Sequence, residues 1–413
     1  MNRHDPRNVV ENLRNHLAAH DKPLVFLFGA GTSSAVNIAP AVRSGEKQNH
    51  QPLVPSMGPL TERCKAAIVN LGKPFSNAWS RLESECKRVN IEAILTRLHL
   101  KIDAIGTGEK LLGLTKEELE RMESIIRKTI AGAVMLTEDM IPNKVPHDDF
   151  SAWVKQAVRT VPLEIFTTNY DILFERAFEH AHIPFFDGFI GAYEPFFYGD
   201  SFKLEDLLPR DKWVRLWKIH GSVNWKLVKH TGGDMVIRTQ PMGTGEMILP
   251  SHRKYDESRK QPYLSLMDRL GQMLGREHAL LISCGYGFGD QHINAVIFSV
   301  LDNRRTSSVI ALHFGELSSE DPLVKWSKER RNFTVLGANA GVIGGQWGEW
   351  QLLNPVDDQT HSFMDTAFDS DAIKPDSTDA SLEEGRLGKM RLVDFNWFCK
   401  FLNSMERKSE GEL

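Results

Sequence analysis

Apolar residues recur along this chain at two periods, and the period identifies each element. Over residues 7–20 apolar and polar groups alternate at helical spacing. PLVFLFGAG (23–31) is instead an unbroken apolar run ending in a glycine turn, as a buried strand does. Four more runs share that character: LEIFTTN (163–169), VRLWKIHG (214–221), ALLISCGYG (279–287) and SSVIALHF (307–314), with FTVLGAN (333–339) as a sixth strand. Long helix-like stretches separate them. The pattern predicts an α/β fold with a Rossmann-like, mostly parallel sheet and helices on both faces.

The stretch between the first two strands is too long for an ordinary crossover and carries helical periodicity, so residues 57–155 are expected to form an inserted helical module. Within it, apolar residues at 91, 94, 95, 98 and 102 share a face. Thr115 with Glu118 makes a capping box ahead of ELERMESIIRKTIAGAVML. Residues 1–56 and 156–350 are then the sheet-bearing domain. Asp357 to Glu384 holds nine acidic residues and one lysine, so 351–385 is expected to be a flexible acidic linker. Residues 386–413 follow as an amphipathic helix, with Leu392, Phe395, Phe398 and Leu402 near one face. That face either packs on its own domain or meets a partner chain, and the helix and the inserted module are the two surfaces to examine for partners.

Composition narrows the class. A net charge of −4 and a pI near 6.4 provide no whole-chain attraction to nucleic acid or anionic membrane, so direct nucleic-acid binding is not expected. No stretch approaches the roughly 18 apolar residues that span a bilayer, and the opening MNRHDPRNVVENLRNH lacks a signal-peptide core; a cytoplasmic protein is expected. Cys64, Cys86, Cys284 and Cys399 lie far apart, so no CxxC pair is available for zinc and no metal is expected.

Four segments could carry chemistry, each directly after an apolar run. In FLFGAGTSSA (26–35), Gly29 and Gly31 would let the backbone approach a phosphate, although a tight turn explains them equally. Ser34 stands where a GxGxxG motif has its third glycine, and no Walker lysine follows. In Thr167-Thr168-Asn169-Tyr170-Asp171, an amide and a carboxylate sit at the carboxyl edge of a strand, where ligands of parallel sheets bind. Asp171 could equally cap the helix starting near Ile172. In Ile219-His220-Gly221-Ser222, a histidine could serve as proton acceptor or simply be a buried, hydrogen-bonded imidazole. In Gly285-Tyr286-Gly287-Phe288-Gly289-Asp290, alternate glycines leave room for a flat ligand, and Asp290 could accept bonds from a ribose diol or cap a helix.

The order of these segments resembles that of the sirtuins, over roughly residues 22 to 315, and in particular a bacterial sirtuin-like branch that includes NAD-hydrolysing proteins of anti-phage defence. The resemblance implies a Rossmann-like domain that takes NAD as substrate. Gly29, Ala30, Gly31, Thr32 and Ser33 would lie along the phosphates, and Thr168 beside them. Asn169 would contact the nicotinamide ribose, Asp171 would hold the carboxamide or stabilise nearby charge, and His220 would be the base. Gly285, Gly287 and Asp290 would surround the adenosine half. The chain departs from the deacetylases in lacking paired CxxC motifs and the Ile-Pro-Asp-Phe-Arg stretch, and in carrying Thr168 where a glutamine is common. The expectation is therefore an NAD glycohydrolase, an effector of abortive infection. An NAD- or ADP-ribose-sensing subunit, or a deacylase or ADP-ribosyltransferase, is the alternative. Its partners would be further copies of itself and a HerA-type hexameric ATPase, or alternatively an Argonaute-type protein.

Overall fold

A computed structural model of the chain describes residues 2–40, 49–87, 89–202, 205–210, 212–230, 233–241, 261–352, 358–372 and 386–405. All six apolar runs are strands: β1 (Leu24–Phe28), β2 (Glu164–Thr167), β3 (Val214–Lys218), β4 (Leu280–Cys284), β5 (Ser308–Leu312) and β6 (Phe333–Leu336). Two more, β7 (Ala340–Ile343) and β8 (Gln346–Leu352), extend the sheet antiparallel. The order is β8-β7-β6-β5-β4-β1-β2-β3, and β1 to β6 all run parallel. The chain thus winds outward from β1 on one side, returns, and winds outward from β4 on the other. The fold is a doubly wound, Rossmann-like α/β sheet, and its strand order reverses between β1 and β4.

Period-two alternation divides the buried strands between two cores. Leu24, Phe26 and Phe28 join Ile165, Leu280 and Ile282 on one face. Val25 and Leu27 join Phe166, Leu281 and Val309 on the other. The first face is covered by helices Pro6–Ala18, Pro146–Gln156 and Phe395–Ser404, the second by Tyr263–Leu274 and Gln291–Asn303. The terminal helix packs at home. Phe395 and Phe398 stand edge-on to Phe28 and Phe26, and Asn396 and Asn403 donate to the carbonyls of Ala35 and Asp149.

A third core belongs to the helices Met57–Val69, Lys73–Ser84, Ile91–Ala104 and Lys116–Val134, with Trp79, Leu98 and Met122 fully buried among them. The Thr115–Glu118 capping box is present in both directions. Its limits differ from 57–155. Val36, Leu53 and Val54 already belong to the module's core, whereas Phe150, Trp153 and Val154 face the sheet. Helical periodicity identifies an amphipathic helix but not which of two cores its apolar face meets.

The acidic segment also differs from expectation. Asp358–Ala367 is a helix, and Phe368–Asp369 pairs with Lys389–Met390. Phe363, Met364, Ala367 and Phe368 are buried while Asp365 is exposed. Averaged composition conceals these apolar positions at helical spacing. Residues 353–357 and 373–385 of the expected linker, and 406–413 of the expected terminal helix, lie outside the described residues.

His147 sits in the first core between Phe174 and Phe395, at 4.6 and 5.2 Å between ring centroids. Neither ring nitrogen has a hydrogen-bond partner among the described residues, and burial pushes its pKa down to about 3. The unfolded chain therefore binds a proton below the ordinary pKa of about 6.5 that the folded chain refuses. Stability is lost as pH falls from there toward 3, by about 1.4 kcal/mol per unit. His147→Leu should remove that part, so urea unfolding at pH 7 and pH 4 should show the variant losing about 3 kcal/mol less than the parent. Equal losses would contradict a neutral, unpartnered His147.

Candidate functional site

Strand register aligns the site. Phe28 lies opposite both Cys284 and Thr167, and Thr167 opposite Lys218, so β4, β1, β2 and β3 end in one row. The four chemistry-bearing segments are the loops leaving that row. They meet at the reversal of strand order, where doubly wound sheets hold their ligands.

The loops after β1 and β4 touch backbone to backbone. Gly29 N and Gly31 N donate to the carbonyls of Cys284 and Gly285, at 3.1 and 2.9 Å. A Cβ on Gly29 would lie 2.5 Å from Gly285 O, and one on Gly31 2.6 Å from Gly285 Cα. Gly285 itself has φ +67° and would meet Thr32 N at 2.6 Å. These glycines are required first by each other. Gly287, in contrast, is exposed with open space around an added Cβ. Ala30 is exposed on the turn, while Thr32 and Ser33 are buried beneath it.

Those two hydroxyls receive the β2 loop. Thr32 Oγ1 donates to Gly29 O at 2.9 Å, and Ser33 Oγ donates to Asp171 Oδ2 at 2.7 Å. Each hydroxyl has one proton, so toward Asn169 both can only accept. Asn169 Nδ2 donates to both, at 3.0 and 2.8 Å. The amide cannot be turned over without setting oxygen against oxygen. Its orientation leaves Asn169 Oδ1 buried with no partner among the described residues. Thr168, half-buried, ties its loop to β1 through its amide on Phe28 O at 3.0 Å.

Both carboxylate oxygens of Asp171 are engaged within the protein. Oδ1 accepts from Leu173 N at 3.2 Å, starting the turn into helix Leu173–His180, while Oδ2 holds Ser33. Sequence reasoning passed over Lys218, which is 2% exposed. Its ammonium donates to the carbonyls of Tyr170 and Asp171 and pairs with Glu175 at 2.9 Å. The signal was a lysine closing a buried strand. Burial pushes the Glu175 carboxyl up, and the adjacent Lys218 opposes that.

His220 stands on the fourth loop, before Gly221 at φ +86°. Its Nε2 lies 2.9 Å from Asp290 Oδ2. Asp290 also caps helix Gln291–Asn303 through Oδ1, which accepts from His292 N and Ile293 N. Tyr286 and Asn294, also not selected from sequence, brace that loop. Tyr286 donates to Asn294 Oδ1 at 3.1 Å, and Asn294 Nδ2 to Phe288 O at 2.7 Å. A cavity of about 610 Å³ opens beside the site, lined in part by Ile172, Arg176 and Asn224, and none of the residues selected from sequence lines it. Among the described residues no cluster of three His, Cys, Asp or Glu side chains is placed to hold a metal, and no helix is long and apolar enough to cross a membrane.

Lys218→Met would leave Glu175 without its cation and take one donor from the carbonyls of Tyr170 and Asp171. Urea unfolding should report a loss of about 3 kcal/mol. A loss below about 0.5 kcal/mol, typical of an exposed pair, would show that the lysine does not clamp this loop.

No curated protein matches the chain. A family model described as a SIR2-like domain matches residues 163–335, a span that holds Asn169, Asp171, His220 and Asp290 but not the Gly29–Ser33 turn. Taken with the doubly wound sheet, this match supports a sirtuin-like family for the chain and, with it, NAD-dependent chemistry.

Proposed function

We propose that the chain hydrolyses NAD to nicotinamide and ADP-ribose. The observation that carries this reading is the carbonyl of Asn169, buried with no partner among the described residues. A buried acceptor costs about 1–3 kcal/mol when left unmade. Here the acceptor is fixed in direction by two hydroxyls at the carboxyl edge of the sheet, and it requires a donor. A ribose hydroxyl supplies one. The turn after β1 lies beside it at the edge where doubly wound sheets hold dinucleotides.

The chemistry asks for little more. Nicotinamide is bound to ribose as a pyridinium cation, so the C1′–N bond breaks with its electron pair leaving on nicotinamide. Asn169 would hold the ribose as it gains oxocarbenium character. Water attacks C1′, and His220 as a neutral imidazole accepts the proton, directly or through a ribose hydroxyl. Asp171 would act from behind, fixing Ser33 and through it Asn169. A freely running NAD hydrolase would drain its own cell. We therefore extend the proposal to an effector of abortive anti-phage defence, controlled by self-assembly and by a HerA-type hexameric ATPase or, alternatively, an Argonaute-type protein.

Nicotinamide release from NAD, followed by chromatography, tests the core of this. The parent chain, alone or with such a partner, should release nicotinamide, and Asn169→Ala and His220→Ala should each lower kcat/KM by at least about 100-fold while remaining folded. Unchanged turnover in both variants would remove the assignment. Tight NAD binding without release would point instead to a sensing subunit, and turnover only with an acyl-lysine peptide to a deacylase.

A further inference from the structure

Asp290 has the residue type for a ribose contact, but its surroundings describe a different task. It is 8% exposed, and both carboxylate oxygens are engaged. Oδ1 accepts two backbone amides at the start of helix Gln291–Asn303, which fixes the carboxylate relative to β4. Oδ2 faces His220 Nε2 at 2.9 Å. The loop that delivers Asp290 is braced twice, by Tyr286 on Asn294 and by Asn294 on Phe288 O, so the carboxylate has little freedom to swing toward a ligand. We propose that Asp290 is a positioning residue for His220, setting which nitrogen of that ring carries the proton.

The proposal rests on the NAD-hydrolysis reading and adds a residue to its mechanism. An ionised carboxylate only accepts, so its partner nitrogen must be N–H. With the proton held on Nε2, Nδ1 is left as the lone-pair nitrogen, and the neutral ring is a base with a defined direction. The same bond ties the loop after β3 to the loop after β4, across the two strands that separate them in the sheet. His220 precedes a left-handed glycine, whose turn Gly221 N closes on Lys218 O at 3.1 Å. Asp290 anchors this loop from the opposite side.

Asp290→Asn in the full chain separates this role from capping. Asparagine is as good a helix cap, so the fold should survive, but its amide can offer Nε2 either a donor or an acceptor. Nicotinamide release should fall about 10²- to 10⁴-fold in kcat, with KM for NAD changed less than about two-fold and the thermal midpoint nearly unmoved. Nitrogen-15 NMR of histidine-labelled protein provides a readout independent of turnover. The His220 signals, identified by their loss in His220→Ala, should report the Nε2–H tautomer in the parent and a mixture in Asp290→Asn. Retained kcat, a rise in KM alone, or an Nδ1–H tautomer in the parent would each overturn the proposal. If the parent releases no nicotinamide, the hydrolysis reading fails, while the tautomer experiment still decides whether Asp290 orients His220.

Discussion

Between Gly29, Gly31 and Gly285 two loops come so close that no side chain fits, and the other loops at this edge take their places from that contact. The hydrogen bond from Gly31 N to Gly285 O is 2.9 Å long, and the backbones around it leave no space for a methyl group. The approach is possible because β1 and β4 are hydrogen-bonded neighbours whose chains depart in opposite directions. It drives the turn after β1 downward, burying Thr32 and Ser33. Once buried, their hydroxyls must be satisfied, and the β2 loop satisfies them. The glycines thus set the position of Asn169 through two hydroxyls.

Polarity propagates through that arrangement in one direction. Asp171 accepts from Ser33, Ser33 accepts from Asn169, and Thr32, having given its proton to Gly29, accepts from Asn169 too. Each link has one permissible donor, so the chain of bonds fixes the direction of the buried Asn169 carbonyl. Below it, Lys218 brings a buried cation against the carbonyls of the same loop and balances Glu175. A loop whose backbone, side-chain amide and following carboxylate are all held is preorganised, and preorganised dipoles are what a charge-developing transition state requires.

The strands were legible because apolar runs of five or so residues between helical stretches allow few other folds, and their ends located the four loops. The roles within those loops were less legible. A glycine needed by a phosphate and a glycine needed by another backbone look identical in sequence; Gly285 is held by its neighbours, whereas Gly287 meets nothing. Asp290 was visible as a polar residue at a strand's end, but its bond to His220 joins positions 70 residues apart and is written in no local pattern. Lys218 was hidden because the run VRLWKIHG was weighed for its apolar residues, and the two charges inside the strand, Arg215 and Lys218, were not. The acidic stretch near Asp365 misled for a related reason, since composition averages over positions and a helix needs only one apolar face.

The inserted module is bound into this site by its own core. Leu173 and Val223, which flank the Asp171 turn and the His220 loop, are buried among the module's helices, and Tyr170 and Ile172 pack against the same cluster. Tyr170 is also where the two loops meet, its carbonyl accepting from Val223 N at 3.0 Å and Ser222 Oγ at 3.3 Å. The residues on either side of Asn169 thus answer to different bodies: Thr168 to β1 through Phe28 O, Tyr170 to the module. Asn169 is therefore held through its side chain by the turn after β1, and through its two neighbours by the sheet and by the module's core together.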